Sequence, residues 1–218
     1  MLDRARILVR MGDVGMCLMA AQSFQRRLNR VQLQKFVYLS DVVGYLDELL
    51  PPTKAHVTYK HGPFDVAIQN AVEALVFRGL AGASSVQKDP KGNIHAIYEL
   101  NAAGSTWVEG IIQGDEFASR WRAILAVAEH LNRLGWVNLI ALVYAEPTYV
   151  STRAKGYGQR LALGNGLENS AAYLFQMLDQ GLRGGFSQSS KNRELMVELL
   201  FRFLEQYRSS VPTLLNGS

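Results

Sequence analysis

Glu146 stands directly before Pro147 at the end of an apolar segment, and four histidines, His56, His61, His95 and His130, are scattered along the 218 residues. These residue types could move a proton or hold a metal. Their spacing argues against both. No two histidines lie four apart on a helix face, and with Cys17 as the one cysteine the ligand sets of zinc sites are not assembled. Cys17 sits in the apolar run GMCLMAAQ and reads as a small buried hydrophobe, with no disulfide possible within the chain. His61 reads as a hydrogen-bonding turn residue. Nucleophilic chemistry needs an oriented base, and neither a G-x-S-x-G elbow nor a Cys-His signature occurs. Gly156-Tyr157-Gly158 and Gly164-Asn165-Gly166 lack the strand and the G-K-[ST] of a phosphate loop. Glu146 alone reads as a capping or surface carboxylate rather than a general base. No catalytic residue, cofactor or metal is expected.

The remaining chemistry is recognition. The segment Phe64–Arg78 offers Asp65, Gln69, Asn70 and Glu73, with Arg78 at its end and no lysine. Duplex binding rests largely on neutralising phosphates, and two carboxylates on such a helix oppose it. The hairpin tip supplies Lys88 and Lys91 against Asp89. The overall charge of +4, from 23 basic and 19 acidic residues, is a weak pull on polyanions. The stretch from Tyr149 to Leu167 is different. It sets Arg153, Lys155 and Arg160 among Tyr149, Tyr157 and several glycines. Arginine and tyrosine are favoured at interface hot spots, so Tyr149, Arg153, Lys155, Tyr157 and Arg160 are the candidate partner-binding residues. Tyr144, Tyr149 and Tyr157 could line a groove near Glu146, and a place in the core is the favoured reading of these aromatics.

The elements that must position these residues follow from periodicity. About Asp3 to Leu28 reads as a helix closing on the basic cluster Arg26, Arg27 and Arg30, where cations suit the helix dipole. Asn29 then caps a helix that is apolar over most of its circumference and is stopped by Pro51-Pro52. Val57 and Tyr59 alternate with Thr58 and Lys60 as a short strand. Gly62 turns the chain, and Pro63 is expected at the first position of the next helix, which Gly79 ends. A hairpin around the turn KDPKGN and a helix capped by Asn101 complete the order helix, helix, strand, helix, hairpin, helix, which is a winged-helix pattern. From Gly114 onward the chain reads as helices: one ending at Gly135, one ended by Pro147, then, beyond a glycine-rich loop over 151–166, two more before a frayed tail. The scattered charges Asp3, Arg4, Arg6 and Arg10 suit an N-terminal helix better than a targeting segment. No run approaches the roughly 20 apolar residues of a membrane span, so a cytoplasmic protein with no membrane partner is expected.

The run VQLQKFVYLSDVVGYL, followed by YKHGPFDVAIQNAVEALVFRGLA, resembles the Panacea domain, in which a K-L-Q-K-L-x-Y-x-A helix precedes a G-P corner and an amphipathic helix ending in G-L. Leu33, Gln34, Lys35, Tyr38, Gly62, Pro63, Gly79 and Leu80 match that pattern, with Phe64 beside the corner. NLIALVYAEPTYV, with Glu146 and Pro147, looks like the acidic-Pro corner of similar proteins. The helices from Glu168 depart from a minimal Panacea domain and suggest an extended variant, of the kind found as the middle component of three-component ATPase-associated defence systems. The resemblance implies a non-enzymatic antitoxin or defence component that binds a partner protein directly, a toxin or a defence-system ATPase or effector, in some members as an adaptor to a protease. The chain is therefore expected to be mainly α (α+β): a winged-helix-like core over residues 1–113, a helical extension over 114–218, a protein partner, and nucleic acid disfavoured. A winged-helix DNA-binding regulator is the alternative.

Overall fold

The computed structural model describes residues 4–47, 49, 56–88, 90, 92, 94–164, 168–182 and 190–210. The expected stop at Pro51-Pro52, the hairpin-tip residues Asp89 and Lys91, Asn165-Gly166 and the tail from Val211 lie outside them. The chain is mainly helical with a small β component, as expected. Helix α1 (Arg4–Ser23) leads to a two-residue strand β1 (Leu28–Asn29) and helix α2 (Arg30–Gly44). A ribbon of β2 (Val57–Tyr59) and β3 (Gly62–Phe64) precedes α3 (Val66–Phe77), the hairpin β4 (Ala81–Lys88) and β5 (Ile94–Leu100), and α4 (Ala102–Ile111). Then come α5 (Asp115–Leu134), α6 (Leu139–Ala145), α7 (Pro147–Arg153), α8 (Ser170–Leu182) and α9 (Ser190–Ser210). The larger sheet is antiparallel in the order β1-β5-β4, and β2 pairs only with β3 among these strands. The ribbon lies in the chain between α2 and α3 and is separate from the larger sheet.

Several helix ends follow from single side chains. Asn29 caps α2 through a reciprocal box: its side chain accepts from Gln32 N–H at 2.9 Å, and Gln32 accepts from Asn29 N–H at 3.0 Å. Asn101 caps α4 by accepting from Gly104 N–H. Other ends correct the expectation. α1 stops at Ser23, and Arg26 and Arg27 lie beyond it, past Gln25 at φ 56°. They do not serve its dipole, because the chain turns there to add buried Leu28 to the sheet opposite Tyr98, and Arg27 pairs instead with Glu99 at 2.9 Å. Pro63 is not at a helix start but in β3 opposite Thr58, and Asp65 is the cap of α3. Pro147 does follow the end of α6, and it also begins α7 at the first helical position. Ser151 to Arg153 belong to α7 rather than to the following loop.

One continuous apolar core joins both halves of the chain. It contains Leu33, Phe36 and Leu39 of α2 together with Ile124, Val127 and Leu131 of α5, Leu142 of α6 and Leu200 of α9. Phe36 meets Trp136 edge to face at 5.4 Å. Gly12 of α1 lets α5 close in, since a Cβ there would come within 2.6 Å of the Phe117 ring. Cys17 is buried in this core, as its surroundings in the sequence implied. Among the described residues no helix is long and apolar enough to cross a membrane.

Candidate functional site

Beneath the ribbon lies a buried ionic network that periodicity did not expose. Arg10, fully buried on α1, contacts Asp13 at 2.8 Å, Asp41 of α2 at 2.8 Å and the cap Asp65 at 2.9 Å. Arg6 also pairs with Asp65, and Arg120 of α5 reaches Asp13 at 3.2 Å. Three guanidinium groups thus face three carboxylates, so the buried charge is balanced. His56 is buried here as well, with Nε2 2.7 Å from Asp41. Burial pushes the Asp41 carboxyl up, but Arg10 and His56 more than reverse this and hold it well below the usual carboxylate range. Burial likewise disfavours the Arg10 cation, and its carboxylates more than restore it. The cavity beside Asp13, Asp41 and Arg120 measures about 10 Å³, room for a single water. This chemistry joins helices. The signal for it was the placement of Arg10, Asp13 and Asp41 inside runs otherwise made of apolar residues.

The motif residues build the frame above that network. Leu33 is core. Gln34 clamps the backbone of Asp65 from both sides, donating to its carbonyl at 2.8 Å and accepting from its N–H at 2.9 Å. The Lys35 ammonium donates to the Pro63 carbonyl at 2.8 Å, and burial brings its pKa down to about 7. Gly62 has φ +91°, and a Cβ there would lie 2.8 Å from Lys35 Nζ. Tyr38 donates to Glu146, whose two oxygens also accept from Thr148 N–H at 2.9 Å and Tyr149 N–H at 2.7 Å. Glu146 is fully buried, which raises its pKa, and both oxygens are engaged in capping α7. It is the capping carboxylate of the two options the sequence left open.

The candidate partner-binding residues divide. Tyr149 is 2 % exposed and packs edge to face on Tyr144 at 5.4 Å, so it belongs to the core and is removed from the surface set. Its side chain is enclosed because α7 turns back onto α6 at the Glu146 cap. Lys155, Tyr157 and Arg160 are exposed and Arg153 is half-buried. The loop after α7 is fastened along β2: Thr58 N–H donates to Gln159 O at 2.8 Å, Gly158 N–H to Thr58 O at 2.7 Å, and Leu161 N–H to His56 O at 2.9 Å. The buried Thr58 hydroxyl adds bonds to Gly156 O and Gln159 N–H. The bridge between Val57 and Arg160 makes this loop a third, irregular strand of the ribbon. Arg153 lies over the Tyr157 ring, with its guanidinium carbon 3.8 Å from the centroid. Tyr59, 50 % exposed on the ribbon, leans on Phe64 at 5.4 Å and on His61 at 6.2 Å.

The outer side of α3 differs from expectation in one residue. Asp65 is turned inward to the arginines, which leaves Glu73 and Arg78 exposed there beside half-buried Gln69 and Asn70, and the Gln69 amide donates to Glu73 at 3.1 Å. Phe77, 92 % exposed, ends the helix. A scan of the chain against protein-family profiles matches none, and a search among curated proteins finds no relative.

Proposed function

We propose that the chain is a non-enzymatic protein-binding module, antitoxin-like or a bridging component of a defence system, that neutralises or links a partner protein by direct contact. The observation that carries this reading is the Arg153–Tyr157 pair, held on a loop that β2 anchors through backbone and Thr58 hydrogen bonds. Hot-spot residue types on a fastened loop lose little conformational freedom on binding, which favours a specific protein contact. The outer side of α3, with Glu73 against Arg78, offers a phosphate backbone little. The resemblance to Panacea proteins points the same way.

The test is co-expression with the products of the flanking reading frames, expected on this reading to include a short toxin or a coiled-coil ATPase, followed by gel filtration. A stable complex is expected. Arg153→Ala with Tyr157→Ala should weaken it by about tenfold or more and leave the melting temperature nearly unchanged. A parallel titration with duplex DNA at several salt concentrations gives the opposite outcome its chance: tight binding that falls steeply with salt would assign the chain to DNA.

A further inference from the structure

The ribbon and the loop after α7 form one surface whose charge is of a single sign. Directly opposed residues of antiparallel strands share a face, so Val57, its partner Phe64 and its bridge partner Arg160 stand in one row. Tyr59, two residues along β2, lies on the same side, while Thr58 and Pro63 are buried on the other. Tyr144 connects this ribbon to the loop. Its ring lies 3.6 Å from where a Gly62 Cβ would be, and its hydroxyl feels both Tyr157 and Arg153. The two segments that build the surface, 56–64 and 147–164, contain Lys60, Arg153, Lys155 and Arg160 and no Asp or Glu. The carboxylates directly adjoining them, Asp65 and Glu146, are 1 % and 0 % exposed and consumed by internal bonds, and the nearest exposed one along the chain is Glu168, four residues past Gly164. None of the four cations has an ion-pair partner among the described residues, whereas Arg27, Arg133, Arg202 and Arg208 each stand against a glutamate.

From this we infer that the surface receives an acidic segment of the partner protein carrying an aromatic or aliphatic anchor, an inference that rests on the protein-binding reading above. The cations meet the carboxylates, with Arg153 already positioned over Tyr157 as a planar donor for a carboxylate. The anchor fits the exposed face of Tyr59 and Phe64. A single-stranded nucleic acid is the competing polyanion, since exposed tyrosines can stack bases. The observations favour the peptide, because Arg153 covers one face of Tyr157 and Tyr59 leans against its neighbours.

The probe is a fluorescein-labelled random copolymer of Glu and Tyr, with a Lys–Tyr copolymer and oligo(dT) as comparisons, read by anisotropy at low and high salt. The Glu–Tyr copolymer should bind the full chain best. Binding should fall by about tenfold or more in Arg153→Gln with Arg160→Gln, and again in Tyr59→Ser with Tyr157→Ser, at unchanged melting temperature. Arg78→Gln on α3 should leave it intact. Equal binding by the ribbon variants, or tighter binding of oligo(dT), overturns the inference. A flanking gene product that co-purifies equally with the wild type and the ribbon variants overturns the acidic-segment assignment and the Arg153–Tyr157 contact with it, while protein binding through another surface stands. Copolymer capture through the ribbon, with no flanking product bound, upholds the acidic-ligand surface and counts against a partner encoded next door.

Discussion

Lys35 shows how far burial can move one group. Its ammonium has a backbone carbonyl as its acceptor and sits at the foot of the ribbon, where desolvation lowers its pKa to about 7. In the unfolded chain the same amine titrates near 10.4 (roughly the model-peptide value). Below pH 7 both states are protonated and the cost of burying the cation is fully present. As the pH rises from about 7 toward 10 the folded state releases its proton first, so the cost fades and stability rises. Urea unfolding of the wild type and Lys35→Met between pH 7 and 8.5 reads this directly. The wild type should gain about 1 kcal/mol per pH unit relative to the variant. Burial also raises the Cys17 thiol, which works in the opposite sense at the upper end of this window, but both proteins share it and it cancels in the difference. A difference that stays flat with pH would mean that Lys35 remains charged throughout.

At the scale of elements, local chemistry was readable and cross-chain chemistry was not. The caps Asn29 and Asn101, the turn at Gly79 just past the end of α3 and the hairpin strands are set by neighbours in sequence, and the residues at those positions announce them. Pro63 reads equally well as a helix opener or a strand residue. What decides is Thr58 across the ribbon and Lys35 from α2, neither of them local. The strand β1 escaped notice for the same reason, since two residues acquire a strand's identity only from Ile97 and Tyr98. Of the candidate surface, Arg153, Lys155, Tyr157 and Arg160 were legible as types. Tyr59 and its row were not, because only the bridge to Arg160 brings them alongside. That bridge depends on Thr58, whose hydroxyl donates to Gly156 O at 2.8 Å and accepts from Gln159 N–H at 2.9 Å. Thr58→Val keeps the shape and leaves both backbone groups unpaired, at about 1–3 kcal/mol. Amide exchange over 156–161 should accelerate selectively. Unchanged protection there would show that the backbone pairing alone holds the loop.

For the molecule as a whole, the question is whether the two halves stand or fall together. Arg10 ties α1 to α2 through Asp41 and to the start of α3 through Asp65, and Asp13 passes the connection to Arg120 on α5. The Tyr38–Glu146 bond and the Phe36–Trp136 contact make two further links between residues before and after Gly114. A buried ion pair is a poor source of net stability, but removing one partner strands the other charge. Arg10→Met should therefore cost about 3–5 kcal/mol, a large share of the roughly 5–15 kcal/mol available to a domain. Adding Asp41→Asn should return part of that loss, since it removes a carboxylate that Arg10 no longer neutralises. If the halves form one cooperative unit, the variant melts in one transition at lower temperature. Helicity by circular dichroism should then coincide with fluorescence from Trp121 and Trp136 in a Trp107→Phe background, which reports only residues beyond Gly114. Early loss of helicity followed by a separate, unshifted fluorescence transition would show instead that the arginine network secures only the first half, and that the shared core is an interface between two independently stable units.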